Sequence, residues 1–254
     1  MSWNPAIYNK FKNERFAPFY DLLELVTVKP GLDVIDLGCG TGELSNELAK
    51  HLPGASILGI DSSEAMLEEA AAFENERLQF ECSTIEAQLD SDQQWDLIFS
   101  NAAIQWVEDH QNFFPKIIEK LKPGGQLAIQ IPDQQQNISN QLLEVTAGEP
   151  PFITALQNWK RTSPVLNMEA YAQLFFENGS QSMTVYEKVY PLVVKDTEAL
   201  FDWVSGTALI PYLEKLEGNI RQLFIDAFKS RLKEHFSKTP VFYPFKRILM
   251  EATF

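Results

Sequence analysis

Two cysteines and three histidines are all that this 254-residue chain carries of the softer metal-binding side chains. Cys39 and Cys82 cannot make a disulfide framework and read as reduced thiols. The histidines stand apart with no zinc-type Cys/His spacing, so no metal is expected. Positive charge is scarce too: 21 Lys and Arg face 35 Asp and Glu, a net charge of −14. That balance argues against a nucleic-acid backbone or an anionic membrane surface as partner. It leaves an anionic small substrate open, because a local pocket can differ from the total. No apolar run nears the roughly 18 residues that span a bilayer, and the first residues show no charged-then-apolar leader. These absences point to a cytoplasmic protein. What is present is apolar, 45% of the residues, enough for one large α/β domain or one domain with an appendage.

The chain is organised around Val34-Ile35-Asp36-Leu37-Gly38-Cys39-Gly40-Thr41-Gly42. Val34, Ile35 and Leu37 form a short buried-strand run after Pro30-Gly31. Three glycines at alternate positions follow, and Glu43 to His51 then reads as a helix. Glycine takes φ > 0 and lets a ligand approach the backbone, while the helix start offers free N–H groups. A dinucleotide fingerprint, Gly-x-Gly-x-x-Gly, would need glycine at position 43, which is Glu. An acid there repels a pyrophosphate, and Asp36 adds a second negative charge. A ligand met by Asp36 and by N–H groups carries an ammonium and a carboxylate. An amino acid does, and so does the methionine end of S-adenosylmethionine. The plain alternative is a glycine turn without a ligand.

Downstream, Ser56–Ile60 reads as a second strand ending at Asp61-Ser62-Ser63. Asp61 lies 23 positions after Gly38, where doubly wound sheets place the acid that binds a ribose diol. Its alternative is to cap a helix over Ser63–Phe73, which Ser62 or Ser63 can also do. Met66 suits a purine face or the core. Leu78–Cys82 is a third strand, with Ser83-Thr84-Ile85 at the place where an adenine edge is read. Trp95–Ser100 is a fourth, ending in Asn101-Ala102-Ala103-Ile104-Gln105-Trp106. Asn101, Gln105 and Trp106 are candidates for the reacting site; ordinary packing is the alternative. His110 reads as structural. Phe113–Leu121 is an amphipathic helix that stops at a turn, Lys122-Pro123-Gly124-Gly125, and Gln126–Ile131 is a fifth strand. Alternating strands and helices with short connections imply a parallel sheet with right-handed crossovers. Before this core, a helix spans about Arg15–Val26. After it come a sixth strand, Met183–Val194, helices over Thr197–Ser205, Leu209–Leu216 and Ile220–Phe236, and a last strand, Arg247–Ala252.

At Asp36–Gly42, Asp61 and Leu121–Gly125 the chain resembles the class I S-adenosylmethionine-dependent methyltransferases, over about residues 15–133. Within that family it is most similar to trans-aconitate methyltransferases. That likeness rests on Trp3-Asn4-Pro5 with Tyr8 and Arg15, Gly59–Ser63 with Ala65-Met66-Leu67, Gln105-Trp106 with Asp109-His110, Pro132-Asp133, and Asp202-Trp203-Val204. Thr84 departs from the family's usual acid, Ile210 stands where arginine is usual, and Lys246 before Arg247 where proline is usual. Pro211–Glu214 and Pro244–Lys246 are also similar to juvenile hormone acid methyltransferases, which act on an apolar carboxylic acid.

The resemblance implies a doubly wound, mostly parallel seven-stranded α/β sheet with helical C-terminal insertions covering the active site. It implies one domain, 1–254, with a cofactor-binding core at 15–133, cap insertions at 134–180 and 195–240, and an N-terminal flap at 1–14. The cofactor implied is S-adenosylmethionine, held by Asp36, Gly38, Cys39, Gly40, Gly42, Asp61, Ser62, Met66, Thr84, Ile85 and Asn101. The reaction implied is O-methylation of a small organic acid, shaped by Trp3, Tyr8, Gln105 and Trp106, with Arg15 and Arg247 as bidentate carboxylate anchors. A carboxylate is ionised at pH 7 and needs no general base, so proximity and orientation suffice. A hydroxyl acceptor would need one, and His110 alone is near the mouth. Asn101 lacks the Pro-Pro-aromatic that follows it in amino-methylating enzymes. A nicotinamide oxidoreductase, or cofactor binding without turnover, are the readings from other classes.

Overall fold

The computed structural model describes residues 12–206 and 208–254. Trp3, Tyr8 and most of the expected flap lie outside the described residues. Arg15 is placed on the first helix, Lys12–Leu23, by its backbone only. That helix begins three residues before the expected start.

Seven strands form one sheet: β1 (Asp33–Leu37), β2 (Ser56–Asp61), β3 (Leu78–Cys82), β4 (Trp95–Asn101), β5 (Leu121–Pro132), β6 (Ser182–Val194) and β7 (Val241–Thr253). Their order is β3-β2-β1-β4-β5-β7-β6. The first five strands are parallel to their neighbours, and β7 runs antiparallel to β5. The order reverses beside β1, which opens a crevice at the C-terminal ends of β1 and β4. Parallel strands are covered on both faces, so they need apolar side chains on both. Val34, Ile35 and Leu37 are accordingly buried. On one face the helix His110–Ile118 lays Phe113, Phe114, Ile117 and Ile118 onto Leu127, Ile129 and Ile131. On the other face Phe19 of the first helix meets Phe99 edge-on, with ring centroids 5.7 Å apart.

The segment Lys122–Gly125 is not a turn after a helix, as expected, but an irregular part of β5. The register passes from Trp95↔Leu121 to Leu97↔Gln126, so four residues bulge out opposite one. The ladder to the chain end holds the bulge: Gly124 N–H donates to Phe254 O at 2.6 Å, and Phe254 N–H to Gly125 O at 3.0 Å. A side chain at Gly125 would lie 2.8 Å from Lys122 O. Lys122 itself bridges Asp33 and Asp96, at 2.6 and 3.0 Å. This motif therefore clamps the end of the sheet opposite the crevice. β7 is also longer than expected, beginning at Val241.

The chain divides into two compact units. One comprises 18–132, 164–188 and 247–254 and holds most of the sheet. The helix Met168–Glu177, inside the expected cap segment 134–180, packs with this unit through Tyr171 and Phe175. Of the described residues, the other comprises 12–17, 133–163 and 189–246. It is built on the helices Ile138–Ala147, Thr197–Ser205 and Gly218–His235. Its interior is aromatic: Phe224 lies 5.2 Å from Phe152 and 5.5 Å from Tyr212, centroid to centroid.

Candidate active site

The loop after β1 is folded by backbone hydrogen bonds. Gly38 and Cys39 N–H groups both donate to Ile60 O, at 2.8 and 2.9 Å. All three glycines have positive φ, 77°, 56° and 72° for Gly38, Gly40 and Gly42. Two are also confined sterically. A Cβ on Gly38 would stand 2.2 Å from Ala103 Cβ, and one on Gly42 would stand 2.7 Å from Phe80 and 2.8 Å from Ala70. Gly40 differs, because nothing lies within 4 Å of its missing Cβ. The loop is thus packed at both ends and open in the middle. The helix behind it, Glu43–His51, starts from Gly42 with no side-chain cap.

Asp61 is stitched into this loop. Its Oδ2 accepts from Gly40 N–H at 3.0 Å and its Oδ1 from Ser63 N–H at 2.9 Å. Each carboxylate oxygen has a second lone pair, so both can still accept from a hydroxyl. The cap of the next helix, Glu64–Ala70, is Ser63 and not Asp61. Ser62 is exposed and Met66 half-buried at the start of that helix.

Asp36 sits under the loop, 3% exposed, and its Oδ2 accepts from Ser45 Oγ at 2.6 Å. Burial pushes its carboxyl up to about 6; the Ser45 hydroxyl works against this and the Asp61 charge adds to it. Burial, with the charges of Asp36 and Asp61, pushes the Cys39 thiol far up, so it stays neutral and inert. Thr84 Oγ1 accepts from Ala87 N–H at 3.1 Å and so caps the helix Ile85–Leu89. Ile85 packs against the apolar cluster.

Three carboxamides lie at the ends of β4 and β5. Ser100 Oγ donates to Leu37 O at 2.8 Å and joins the two strand tips. Ala102, with φ of 57°, then turns the chain. A left-handed φ in a residue with a Cβ costs roughly 1–2 kcal/mol and is held only where neighbours enforce it. They do: Ala102 N–H donates to Gln130 O at 2.8 Å, and Gln105 Nε2 donates to Ala102 O at 2.6 Å. Yet Asn101 Oδ1, Gln105 Oε1 and Gln130 Nε2 are buried with no partner among the described residues. Each such atom costs about 1–3 kcal/mol. Gln130 was missed by sequence reasoning. Its signal was slight: a second glutamine in a strand that already carries Gln126.

Trp106 is 53% exposed, so the structure does not enclose it with Gln105. Arg247 is half-buried on β7, opposite Pro132. His110 is 1% exposed and structural, as expected. Its Nε2 pairs with Ile104 O at 3.0 Å and its Nδ1 with Tyr171 OH at 2.6 Å. The carbonyl can only accept, so Nε2 carries the proton and Tyr171 donates to Nδ1. Burial is the main cause that keeps this imidazole below its ordinary pKa. Among the described residues no cluster of ligands could hold a metal ion.

Fold and loop together define a class. The doubly wound sheet, the open glycine loop and the acid at the tip of β2 are the frame of class I methyltransferases. The parts fit an adenosyl-methionine donor: open space over Gly40, spare lone pairs on Asp61, and an uncapped helix start. A family model described as a methyltransferase domain matches residues 28–179, more than half of the chain, and the protein belongs to that family. A curated relative from Deinococcus radiodurans, named trans-aconitate 2-methyltransferase, is 42% identical over 100% of this chain and 98% of its own. One of the same name from Variovorax paradoxus is 34% identical, covering 98% and 95%. Among solved structures, the YcgJ protein of Bacillus subtilis shares the fold with a TM-score of 0.61 at 14% identity, covering 93% of this chain and 97% of that one. The chain is an S-adenosylmethionine-dependent methyltransferase.

Proposed function

We propose that this enzyme methylates a carboxylate oxygen of a small organic acid, with trans-aconitate as the first acceptor to test. The observation that carries this reading is the engagement of His110. Both its ring nitrogens are bonded inside the fold, so it is not available as a general base. An acceptor already ionised at neutral pH needs none. The curated relatives, similar over the full length, are named for such a reaction.

When bound, S-adenosylmethionine supplies an electrophilic methyl group and leaves as a neutral thioether. The chain's own residues hold, orient and shield. The loop Gly38–Gly42 with Cys39 takes the methionine end, and Gly40 gives it room. Asp36 supplies negative charge beneath the loop. Asp61 accepts from the ribose hydroxyls. Ser62, Met66, Thr84 and the backbone of Ile85 flank the base. Asn101 closes the methionine side. Arg247, with Arg15 on the strength of the resemblance, offers the fork that matches a carboxylate. Gln105 and Trp106 line the acceptor side. Rate enhancement then comes from alignment and from exclusion of water.

The acceptor is a small molecule because a net charge of −14 repels nucleic acid. Among the described residues no helix is long and apolar enough to cross a membrane. The two unbridged thiols support a cytoplasmic setting. A methyl-transfer screen over carboxylic acids, from tricarboxylates to fatty acids, with products identified by mass, tests the reading. Esters of tricarboxylates are expected. Esters of fatty acids alone would favour the apolar-acid alternative, and methylation of amines or phenols alone would remove the carboxylate reading.

A further inference from the structure

We propose that Gln130 is an acceptor-binding residue whose buried carboxamide donates a hydrogen bond to the carboxylate that is methylated. The inference rests on the carboxylate reading above. Gln130 is 1% exposed, at the C-terminal end of β5, with Asn101 and Leu249 as its register partners on either side. Its Nε2 has no partner among the described residues. An apolar side chain of the same size would be more stable in such a place, because a buried donor without an acceptor loses its hydration for nothing. The same face of β5 shows the contrast. Gln126 is likewise buried, but its amide is fully used: Oε1 accepts from Thr27 N–H at 2.9 Å, and Nε2 donates to Leu25 O and Glu251 at 3.0 and 2.9 Å. Gln126 is structural, and Gln130 is not.

The surroundings point to a ligand. Gln130 shares its strand-end level with Ala102, held at φ 57° by the Gln130 carbonyl and the Gln105 amide. Asn101 Oδ1 and Gln105 Oε1 are the other orphan atoms at that level. Of these orphan atoms the lone donor, Gln130 Nε2, is matched by a group that accepts. A carboxylate takes the donor. The chemistry favours a neutral donor at the reacting carboxylate. A guanidinium fork would hold both oxygens and draw charge from the nucleophile. A single amide N–H orients one oxygen and leaves the other free to attack.

Gln130→Met keeps length and volume but removes the donor, and Gln130→Glu replaces it with a like charge. Three quantities are measured for each: melting temperature, Kd for S-adenosylhomocysteine, and Kd for trans-aconitate in the presence of S-adenosylhomocysteine. The expected result for Gln130→Met is a melting temperature equal to or above wild type. S-adenosylhomocysteine affinity should change less than twofold, and trans-aconitate should bind at least tenfold more weakly. Gln130→Glu should bind the acid more weakly still. A lowered melting temperature in Gln130→Met with unchanged acid affinity would make Gln130 structural and overturn the inference. Loss of S-adenosylhomocysteine binding would give the amide to the cofactor and overturn it as well. If wild type binds neither trans-aconitate nor any other acid of the series, the carboxylate reading itself has failed. If wild type binds an acid and both variants bind it equally, only the role of Gln130 has failed.

Discussion

The two halves of the crevice are finished to different degrees. Around β1 and β2 the acids and the loop are paired: Asp36 with Ser45, Asp61 with Gly40 and Ser63, Gly38 and Cys39 with Ile60. Around β4 and β5 three carboxamides keep buried atoms unpaired. The first half is organised before anything binds, which suits a donor molecule of constant shape. The second keeps polar valences open among the described residues. Stability is given up there, as at many binding sites.

The largest effect expected is on the finished side. Gly38→Ala would place a Cβ 2.2 Å from Ala103 at a φ of 77°. Overpacking and left-handed strain together should cost about 2–5 kcal/mol, read as a fall in denaturation midpoint, and S-adenosylhomocysteine binding should vanish with it. Gly40→Ala sharpens the point. Nothing crowds its Cβ, so only the conformational cost of about 1–2 kcal/mol applies. Calorimetry should nevertheless show at least a roughly hundredfold loss of S-adenosylhomocysteine affinity, because the new methyl fills the ligand's space. Equal affinity to wild type would mean that the loop holds no ligand.

Asp36 should give the next largest effect. Its carboxyl titrates near 6 in the fold against 3.8 when unperturbed. The folded state keeps a proton that the unfolded chain has already released. Stability is therefore highest below about 4 and falls as pH rises through about 6, by about 3 kcal/mol. Asp36→Asn, which can still accept from Ser45, should flatten that limb in urea melts at pH 4.5 and 7.5 and weaken cofactor binding. An unchanged pH dependence would show that burial of this acid costs nothing.

Tyr171→Phe makes a paired site into an unpaired one. It strands His110 Nδ1 and the Leu166 N–H, which donates to the same hydroxyl at 3.1 Å. A loss of about 1–3 kcal/mol is expected. Because His110 is held below 6.5, its contribution is present above that pH and lost as pH falls from there through its lowered value in the fold. The pH–rate profile at saturating acid should show no histidine limb. Lys122→Ala, at the far end of the sheet, should cost less than about 1 kcal/mol, with both Kd values unchanged.

Legibility followed the range of the interactions. The placement of the glycine loop after β1 and of Asp61 at the tip of β2 could be read because each depends on neighbours a few residues away and on a strand end marked by composition. Lys122–Gly125 was misread as a turn because the partners that keep it in the sheet, Trp95 and Phe254, lie 26 or more residues off. Gln105 and Trp106 are read together at the mouth of β4, and on the 3₁₀ turn Ile104–Trp106 only Gln105 is buried while Trp106 is 53% exposed, a difference that sequence does not carry.

The amino-acid order alone determined the α/β alternation, the loop chemistry and the donor class, because strand propensity, glycine torsions and charge are properties of short segments. Tertiary structure alone decided which glycine is open, which histidine is already bonded, and which glutamine of β5 is left without a partner. Gln126 and Gln130 are the same residue type four positions apart on one face of one strand. What separates them is the atoms brought alongside from elsewhere in the chain, and those are set only when the sheet has closed.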